Sequence, residues 1–282
     1  MFRDNVAQSS EFLKELLRRL SIMNIRSGIA GSLPDVVVGG AQKSGTSSLH
    51  RIIAESPGFA GATTKEVHYL DRFYFGNFFY ASMFPSANSL RFVESTPNYL
   101  FHPTAAERAL QTIPQARFVF VLRNPAERAI SHYNHQRRKG REHHGFLDAL
   151  RLEESRLGDL YGASEVWASS RRISYRATHF SYLSRGCYGR QLQKWFDKFD
   201  ASQILVLNYE KLFVERTSSE AARLSEFLGL GGGLNPELFP TANPGDYDRD
   251  QFSMPREFVR FLQEDTETLN SLSPDLSTDW AY

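Results

Sequence analysis

A short glycine-containing segment, GAQKSGTS at residues 40–47, carries the first chemically informative pattern in the sequence. It follows the apolar run VVVG and precedes residues with the apolar spacing of a helix. A strand-to-helix turn of this kind can bind a phosphate group, because free backbone N–H groups and the positive end of the helix dipole meet there. Gly40 and Gly45 have the G-x-x-x-x-G spacing of a P-loop. We therefore predict an anion-binding loop with Lys43 as its cation.

The loop differs from the P-loops of kinases and NTPases in the position of its lysine. Those loops continue after the second glycine with Lys and then Ser or Thr, which reach the β- and γ-phosphates and hold Mg²⁺. Here Thr46 follows Gly45, and the lysine lies inside the loop at position 43. The loop can still bind a phosphate, but the metal-holding arrangement is lost. A tight turn without a ligand is the alternative interpretation, and it gives Lys43 no packing role.

A second candidate anion site follows the apolar run RFVFVL at residues 117–122. Arg123 ends this predicted strand, and the next residues, NPAE, predict a helix with Asn124 as its N-cap. Ser131 comes seven positions after Asn124, which is nearly the same helix face. An arginine and a hydroxyl on one side form a good anion site, although a structural arginine and a solvent-facing serine are the simpler alternative. Two anion sites on one sheet indicate a ligand with two separated phosphates.

The elements that must position these residues repeat one order: an apolar strand, a polar turn and a capped helix. Strands are predicted at residues 36–39, 117–122 and 203–207, and capping boxes at 104–107 and 217–220 predict further helix starts. The strands are continuously apolar, which indicates burial on both faces and therefore a parallel sheet covered by helices. We predict an α/β fold with a single three-layer domain, in which helices flank a P-loop-like parallel sheet.

Two segments depart from this order. Residues 1–30 include a predicted helix around residues 10–25, which either packs on the domain or binds a partner. Residues 136–180 begin with the polar run QRRKGREHHG and include RRISYRATHF, which matches no standard element. We predict one domain over residues 1–282, in which residues 136–180 form the wall or lid of a cleft.

The composition excludes several classes of protein. The 282 residues include 33 Lys and Arg against 32 Asp and Glu, so the net charge of +1 gives no reason to expect a nucleic-acid or membrane partner. The single cysteine, Cys187, excludes an intramolecular disulfide and a cysteine-rich metal site, and the histidines form no coherent ligand set. No apolar run approaches the roughly 18–20 residues that span a bilayer, and the start is too charged for a signal peptide. We expect a cytoplasmic protein that needs no metal.

Several longer stretches resemble one known family. VVVGGAQKSGTSSL, KEVHYLD, VESTPNYL, FVFVLRNPAERAISHYNH and YGRQLQKWFDKFDASQILVLNYEKL are similar to the PAPS-dependent sulfotransferases, especially the heparan sulfate sulfotransferase branch and its bacterial relatives. The resemblance covers residues 35–135 and 182–230, with a weaker similarity over residues 254–280. It implies an enzyme that moves a sulfuryl group from 3′-phosphoadenylyl sulfate (PAPS) to an acceptor and releases adenosine 3′,5′-bisphosphate (PAP).

The resemblance also implies roles for single residues. Arg123 and Ser131 would bind the 3′-phosphate of PAPS, and Lys43 would neutralise charge that grows on the bridging oxygen. Tyr188 matches a region that approaches the adenine in relatives, and core packing is the alternative. The loop residues implied to contact the 5′-phosphosulfate are Gln42, Lys43, Ser44, Gly45, Thr46 and Ser47.

The acceptor must lose a proton as it attacks sulfur, so a general base is needed within hydrogen-bond reach. KEVHYLD at residues 65–71 resembles the heparan-type motif whose glutamate is the base, which falls on Glu66. His68 is the second candidate, because its ordinary pKa near 6.5 suits the task. We expect Lys65 to position Glu66 or the sulfonate, and Glu94 to contact the acceptor from the same sheet edge. The choice between Glu66 and His68 stays open at this point.

The sequence also departs from the resembled branch. Relatives that act on heparan sulfate carry a membrane anchor and a disulfide, and neither is visible here, which implies a bacterial-type cytoplasmic enzyme. Their basic closing loop corresponds to the acidic residues 241–253, whose only arginine is Arg249, so closure over the nucleotide is in question. The expected acceptor is a saccharide or a secondary-metabolite intermediate, free or tethered to a carrier protein. The sequence predicts neither the acceptor itself nor the oligomeric state.

Two other classes of function are alternatives. An ATP-dependent phosphotransferase would need Mg²⁺ and a lysine directly after Gly45, where Thr46 stands. A non-catalytic nucleotide-binding module would need neither Lys43 nor Glu66, so the presence of both residues argues against it.

Overall fold

The structure is a computed structural model, and it describes residues 31–87, 89–158, 171–240, 247–276 and 278–280, without the side chains of 171–174 and 250. The helix predicted around residues 10–25 lies outside the described residues.

Five parallel strands form one sheet in the order β2-β3-β1-β4-β5. The central strand β1 pairs with β3 on one side and with β4 on the other, so the chain changes direction across the sheet at β1. In open α/β sheets, ligands bind outside the carboxyl ends of the strands at such a switch point. The strands are β1 (Val36–Gly40), β2 (Phe59–Gly61), β3 (Arg91–Ser95), β4 (Arg117–Leu122) and β5 (Ile204–Asn208).

Helices cover both faces of the sheet. The described α-helices are α1 (Thr46–Ala54), α2 (Asn77–Ala81), α3 (Ala105–Thr112), α4 (Pro125–Arg138), α5 (Phe146–Arg151), α6 (Glu153–Leu157), α7 (Arg171–Phe180), α8 (Tyr188–Phe196), α9 (Ser218–Leu228) and α10 (Arg256–Leu272). One core contains buried residues of α1 and α9, and a second core contains buried residues of α3, α8 and α10. The prediction of a three-layer α/β domain is confirmed.

Strand β4 shows why continuous apolar sequence predicts a sheet buried on both faces. Phe118 and Phe120 point to one core, where their rings lie 4.8 and 5.2 Å from the ring of Trp195. Val119 and Val121 alternate with them and point to the opposite core. Since successive strand side chains face opposite sides, a strand with helices on both faces must be apolar at every position.

The helix starts test the predictions from capping residues. Asn124 caps α4 as predicted, because its side chain accepts hydrogen bonds from the backbone N–H groups of Ala126 and Glu127. Thr104 and Thr217 occupy the N-cap positions of α3 and α9, but neither side chain makes a capping hydrogen bond. The helix positions were therefore right and two of the three capping interactions were wrong.

Helix α7 is one of the elements that the sequence pattern did not predict. Residues 171–180 form helix α7, although RRISYRATHF was expected to match no standard element. The side chain of Ala177 is fully buried, and the neighbouring Thr178 is nearly so. Ile173, Ala177 and Phe180 stand at helical spacing, so the sequence did carry the signal of this helix among its many polar residues.

Candidate active site

Four segments, which follow strands β1, β2, β3 and β4, meet at one edge of the sheet. The Arg123 guanidinium donates to the backbone oxygen of Lys43 at 3.5 Å, which joins the segments after β4 and β1. The Lys65 ammonium contacts the Ser47 hydroxyl, which joins the KEVHYLD segment to the phosphate loop. The backbone N–H of His68 donates to the Thr96 hydroxyl, just after β3, at 3.2 Å. The predicted anion loop and the predicted base motif therefore lie side by side.

The loop between β1 and α1 has the backbone of an anion cradle. Gly45 has a φ of 77° and Lys43 a φ of 74°, both in the left-handed region. Helix α1 begins at Thr46, so the first N–H groups of this helix have no acceptor within it. The Gln42 side-chain oxygen and the Ser44 hydroxyl are buried and lack a hydrogen-bond partner among the described residues. Such orphaned polar atoms favour a ligand at the loop.

Lys43 lies in a strongly basic environment. Burial and the positive charges of Arg138 and Arg123 lower the pKa of Lys43 to about 8. A bound anion would relieve this repulsion, so the loop is electrostatically prepared for a phosphate group.

Arg123, the arginine of the predicted second anion site, lies between the end of β4 and the Asn124 cap of α4. Its guanidinium lies 5.1 Å from the centre of the Tyr209 ring and 3.6 Å from the Glu127 carboxylate. Ser131 follows two turns into α4 and is half-buried. Glu127 also contacts Arg249, the only arginine of the acidic residues 241–253. The Glu127 carboxylate therefore lies between Arg123 and Arg249.

Tyr188 supports Arg123 from inside the domain. Its ring is buried, its hydroxyl donates to the backbone oxygen of Arg123 at 2.9 Å, and the centre of its ring lies 6.0 Å from that of Trp280. This position favours core packing, the alternative to adenine contact.

The KEVHYLD segment holds a row of three acid and base groups. Nε2 of His68 lies 3.4 Å from the Glu66 carboxylate, and Nδ1 lies 2.9 Å from Oδ2 of Asp71. The side chains of Glu66, His68 and Asp71 are 39%, 13% and 0% exposed, so the row runs from the surface into the interior. Glu66 and His68 have φ values of 57° and 55°, which strain non-glycine residues and are typical of functional sites.

The charges in this row stabilise one another. Burial is the largest single effect on His68 and opposes its charge, but the contacts with Asp71 and Glu66 together raise the pKa of His68 above its ordinary value. Burial also opposes ionisation of Glu66 and Asp71, but their contacts with His68 hold the pKa of each carboxyl below its ordinary value. The imidazole of His68 therefore lies between two carboxylates, of which only Glu66 reaches the surface.

Glu94 does not face the open edge. It is fully buried, and its carboxyl oxygens accept hydrogen bonds from Thr96 and Tyr99, each at 2.6 Å, and from Tyr80. Burial raises the pKa of Glu94 despite these bonds. The Tyr99 hydroxyl also accepts the backbone N–H of Tyr69 at 2.9 Å, so Glu94 supports the KEVHYLD segment from below. Contact between Glu94 and an acceptor stays a prediction that this position does not favour.

Two further titratable side chains, Asp71 and His135, were not predicted from the sequence as site residues. Burial, together with the charges of Lys43 and Arg138, lowers the pKa of His135 to about 4. Ser131, His135 and Arg138 follow one another at four- and three-residue steps on α4, which places them on one face. That spacing on α4 is the sequence signal that could have revealed His135.

The described part of the chain has neither a metal-ligand cluster nor a membrane-spanning helix. No group of three or more His, Cys, Asp or Glu side chains there could hold a metal ion. No helix among these residues is both long and apolar enough to cross a membrane.

The fold and the site define an α/β protein with a P-loop-like anion site beside a carboxylate–imidazole pair. The family model described as "Sulfotransferase domain" matches residues 33–237. The chain therefore belongs to the sulfotransferase-domain family.

Relatives support this assignment. The chain is 27% identical over 188 residues to a bifunctional heparan sulfate N-deacetylase/N-sulfotransferase 1 of Caenorhabditis elegans, covering 64% of this chain and 20% of the relative. It is 25% identical over 213 residues to the human bifunctional heparan sulfate N-deacetylase/N-sulfotransferase 2, covering 72% of this chain and 23% of the relative. The chain thus spans about a fifth of the length of these relatives.

A solved structure shares the fold. The crystal structure of a sulfotransferase from Alicyclobacillus acidocaldarius matches with a TM-score of 0.63 at 23% identity, over 86% of this chain and 96% of that chain.

We predict that Gly45→Ala damages the loop more than a matched glycine substitution does. A Cβ at Gly45 would lie 2.8 Å from the ring of Phe213, which is buried and has little room to move. Gly58 has a similar φ of 81° with open space around it, so Gly58→Ala adds only backbone strain, about 1–2 kcal/mol. Urea unfolding of both variants should show the larger loss of stability for Gly45→Ala. Equal losses would contradict this account of the turn.

Proposed function

We propose that this protein moves the sulfuryl group of PAPS to a hydroxyl or amine of a saccharide acceptor. The observation that carries the proposal is the contact of Lys65 with Ser47, which brings the anion loop and the Glu66–His68 pair to one place. The heparan sulfate named for the relatives supports a saccharide acceptor. A secondary-metabolite acceptor, free or on a carrier protein, is the alternative.

The loop would hold the 5′-phosphosulfate of PAPS. The first N–H groups of α1, the buried Ser44 hydroxyl and the Lys43 ammonium supply donors and positive charge at one point. Arg123 and Ser131, at and after the end of β4, would hold the 3′-phosphate. Lys43 would neutralise the charge that develops on the bridging oxygen as the sulfur–oxygen bond breaks.

Glu66 is the better placed of the two candidate bases. Its carboxylate is the exposed member of the row, whereas both ring nitrogens of His68 already face carboxylates. As the acceptor oxygen or nitrogen bonds to sulfur, the sulfur–oxygen bond to the 5′-phosphate breaks and PAP leaves. The acceptor proton passes to Glu66, and His68 orients the carboxylate and stabilises its charge.

The position of the lysine argues against phosphoryl transfer from ATP. Lys43 lies within the loop and Thr46 follows Gly45, so the usual lysine and metal-holding hydroxyl of a kinase loop are not in place. Membership of the sulfotransferase family agrees with this reasoning.

Alanine substitutions should separate catalysis from binding. Lys43→Ala should lower the turnover of labelled sulfuryl transfer from PAPS to a heparan-type oligosaccharide by about 10²–10³-fold, because a preorganised charge at the reacting centre is lost. Arg123→Ala should mainly weaken PAP binding in calorimetry. Lys198→Ala is the matched control, since Lys198 lies just after the end of α8 and pairs with Glu107 at 2.9 Å. Full turnover of Lys43→Ala would refute the role of the loop.

The pH dependence of kcat/KM should identify the base. The pKa of Glu66 is held below its ordinary value and that of His68 is raised above 6.5. If Glu66 is the base, activity is lost only as the pH falls below about 4.5, and the profile is flat between pH 5 and 7. A decline above about pH 8 is expected where Lys43 loses its proton.

The opposite profile would assign the base to His68. A neutral imidazole is required in that case, so kcat/KM would rise about tenfold per pH unit up to a pKa above 6.5. Glu66→Gln should lower kcat by about 10²–10⁴-fold if Glu66 is the base. His68→Gln keeps a hydrogen-bonding side chain and serves as the comparison.

A further inference from the structure

A buried arginine lies behind the Glu66–His68–Asp71 row. Arg185 belongs to the turn Ser184–Gly186 and is only 3% exposed. Its guanidinium lies 4.3 Å from the centre of the Phe101 ring, and its Nε donates to the Ser181 hydroxyl at 2.7 Å. Its Nη2 donates to the side-chain oxygen of Asn98 at 2.6 Å.

The burial of Arg185 is costly and needs a reason. A buried guanidinium is ordinarily paired with a carboxylate, because removing an unpaired charge from water costs several kcal/mol. None of the ion pairs between described residues involves Arg185. Arg185 is instead linked to the Asp71 carboxylate by hydrogen bonds through the side-chain amide of Asn98.

Asn98 links the arginine to the base motif. Its Nδ2 donates to Oδ2 of Asp71 at 2.6 Å while its Oδ1 accepts from Arg185. An arginine can only donate and a carboxylate can only accept, so these two neighbours fix the orientation of the amide. The same Oδ2 of Asp71 lies 2.9 Å from Nδ1 of His68. A continuous chain of polar contacts therefore runs through Arg185, Asn98, Asp71, His68 and Glu66.

We propose that Arg185, acting through Asn98, is a positioning residue for the base. It holds the Asp71 carboxylate against the Nδ1–H of His68, so that Nε2–H of the imidazolium faces Glu66 and the proton that remains on the neutral ring stays on Nδ1. The inference rests on the proposed function only in naming Glu66 as the base. Arg185 itself contacts neither the donor nor the acceptor.

The charged surroundings show which other groups act on this row. His68 faces Arg72 as well as its two carboxylates, and Asp71 also faces His102. Arg185 faces further charged side chains, which are Arg72, Arg128 and Glu153. Several charges act on the pKa of His68, so a change in this pKa would not identify Arg185 as the cause. The position of the proton on the His68 ring is a more specific readout than the pKa.

The test is ¹⁵N NMR of histidine-labelled full-length protein, which has eight histidines. His68→Gln assigns the His68 signals. Above the pKa of His68, the wild type should show the Nδ1–H tautomer. Arg185→Met and the charge-neutral Asn98→Leu should both lose this preference and show a mixture of tautomers, because Asp71 is no longer held.

Arg156→Met is the matched control, because Arg156 is a largely buried arginine that pairs with Glu142 and has no link to Asp71. It should keep the wild-type tautomer. A folded Arg185→Met that keeps the Nδ1–H tautomer would overturn the inference. If Arg185→Met does not fold, Asn98→Leu decides, and an unchanged tautomer in that variant overturns the inference.

A kinetic readout separates this inference from the proposed function. Arg185→Met and Asn98→Leu should lower kcat for labelled sulfuryl transfer from PAPS at least tenfold, with the affinity for PAP unchanged. A wild type that neither binds PAP nor transfers the sulfuryl group would contradict the proposed function, and the tautomer result would still judge the role of Arg185.

Discussion

Burial of the parallel sheet on both faces confines the polar chemistry of this chain to the edges of the sheet. The strands β1, β3 and β4 carry almost only buried residues, so polar side chains can gather only where the strands end. Parallel strands place their carboxyl ends at one edge, and β1 lies between β3 and β4. The anion loop, the support from Thr96 and the guanidinium of Arg123 meet there as a consequence.

Strained backbone and repelling charges at this edge are held by the buried layer beneath it. Lys43, Glu66 and His68 adopt left-handed φ values, which cost non-glycine residues roughly 1–3 kcal/mol each. The Glu94 carboxyl fixes Thr96 and Tyr99, which in turn bind the backbone of the KEVHYLD segment. The proposed base, held in this way, is oriented before the acceptor arrives, which is how a rigid site lowers a barrier.

Local patterns predicted the parts of the site that follow strand-to-helix turns. Lys43 and Arg123 were found because each follows a buried strand, and the Asn124 cap was found because NPAE is a local signal. The position of Glu94 depends on hydroxyls from Tyr80 and Tyr99, which no periodic pattern reveals. Arg185 and Asn98 are 87 residues apart, so their contact exists only in the folded chain. Helix α7 was missed although Ile173, Ala177 and Phe180 stand at helical spacing.

The central claim is that the sheet edge binds a nucleotide with two separated phosphates and without a metal. Thermal unfolding with PAP, and separately with ATP and Mg²⁺, tests it most directly. PAP at about a hundred times its dissociation constant stabilises the folded chain by about 2.7 kcal/mol. This should raise the Tm by roughly 5 °C. A rise with PAP alone is the predicted result, and a rise only with ATP and Mg²⁺ would contradict the account.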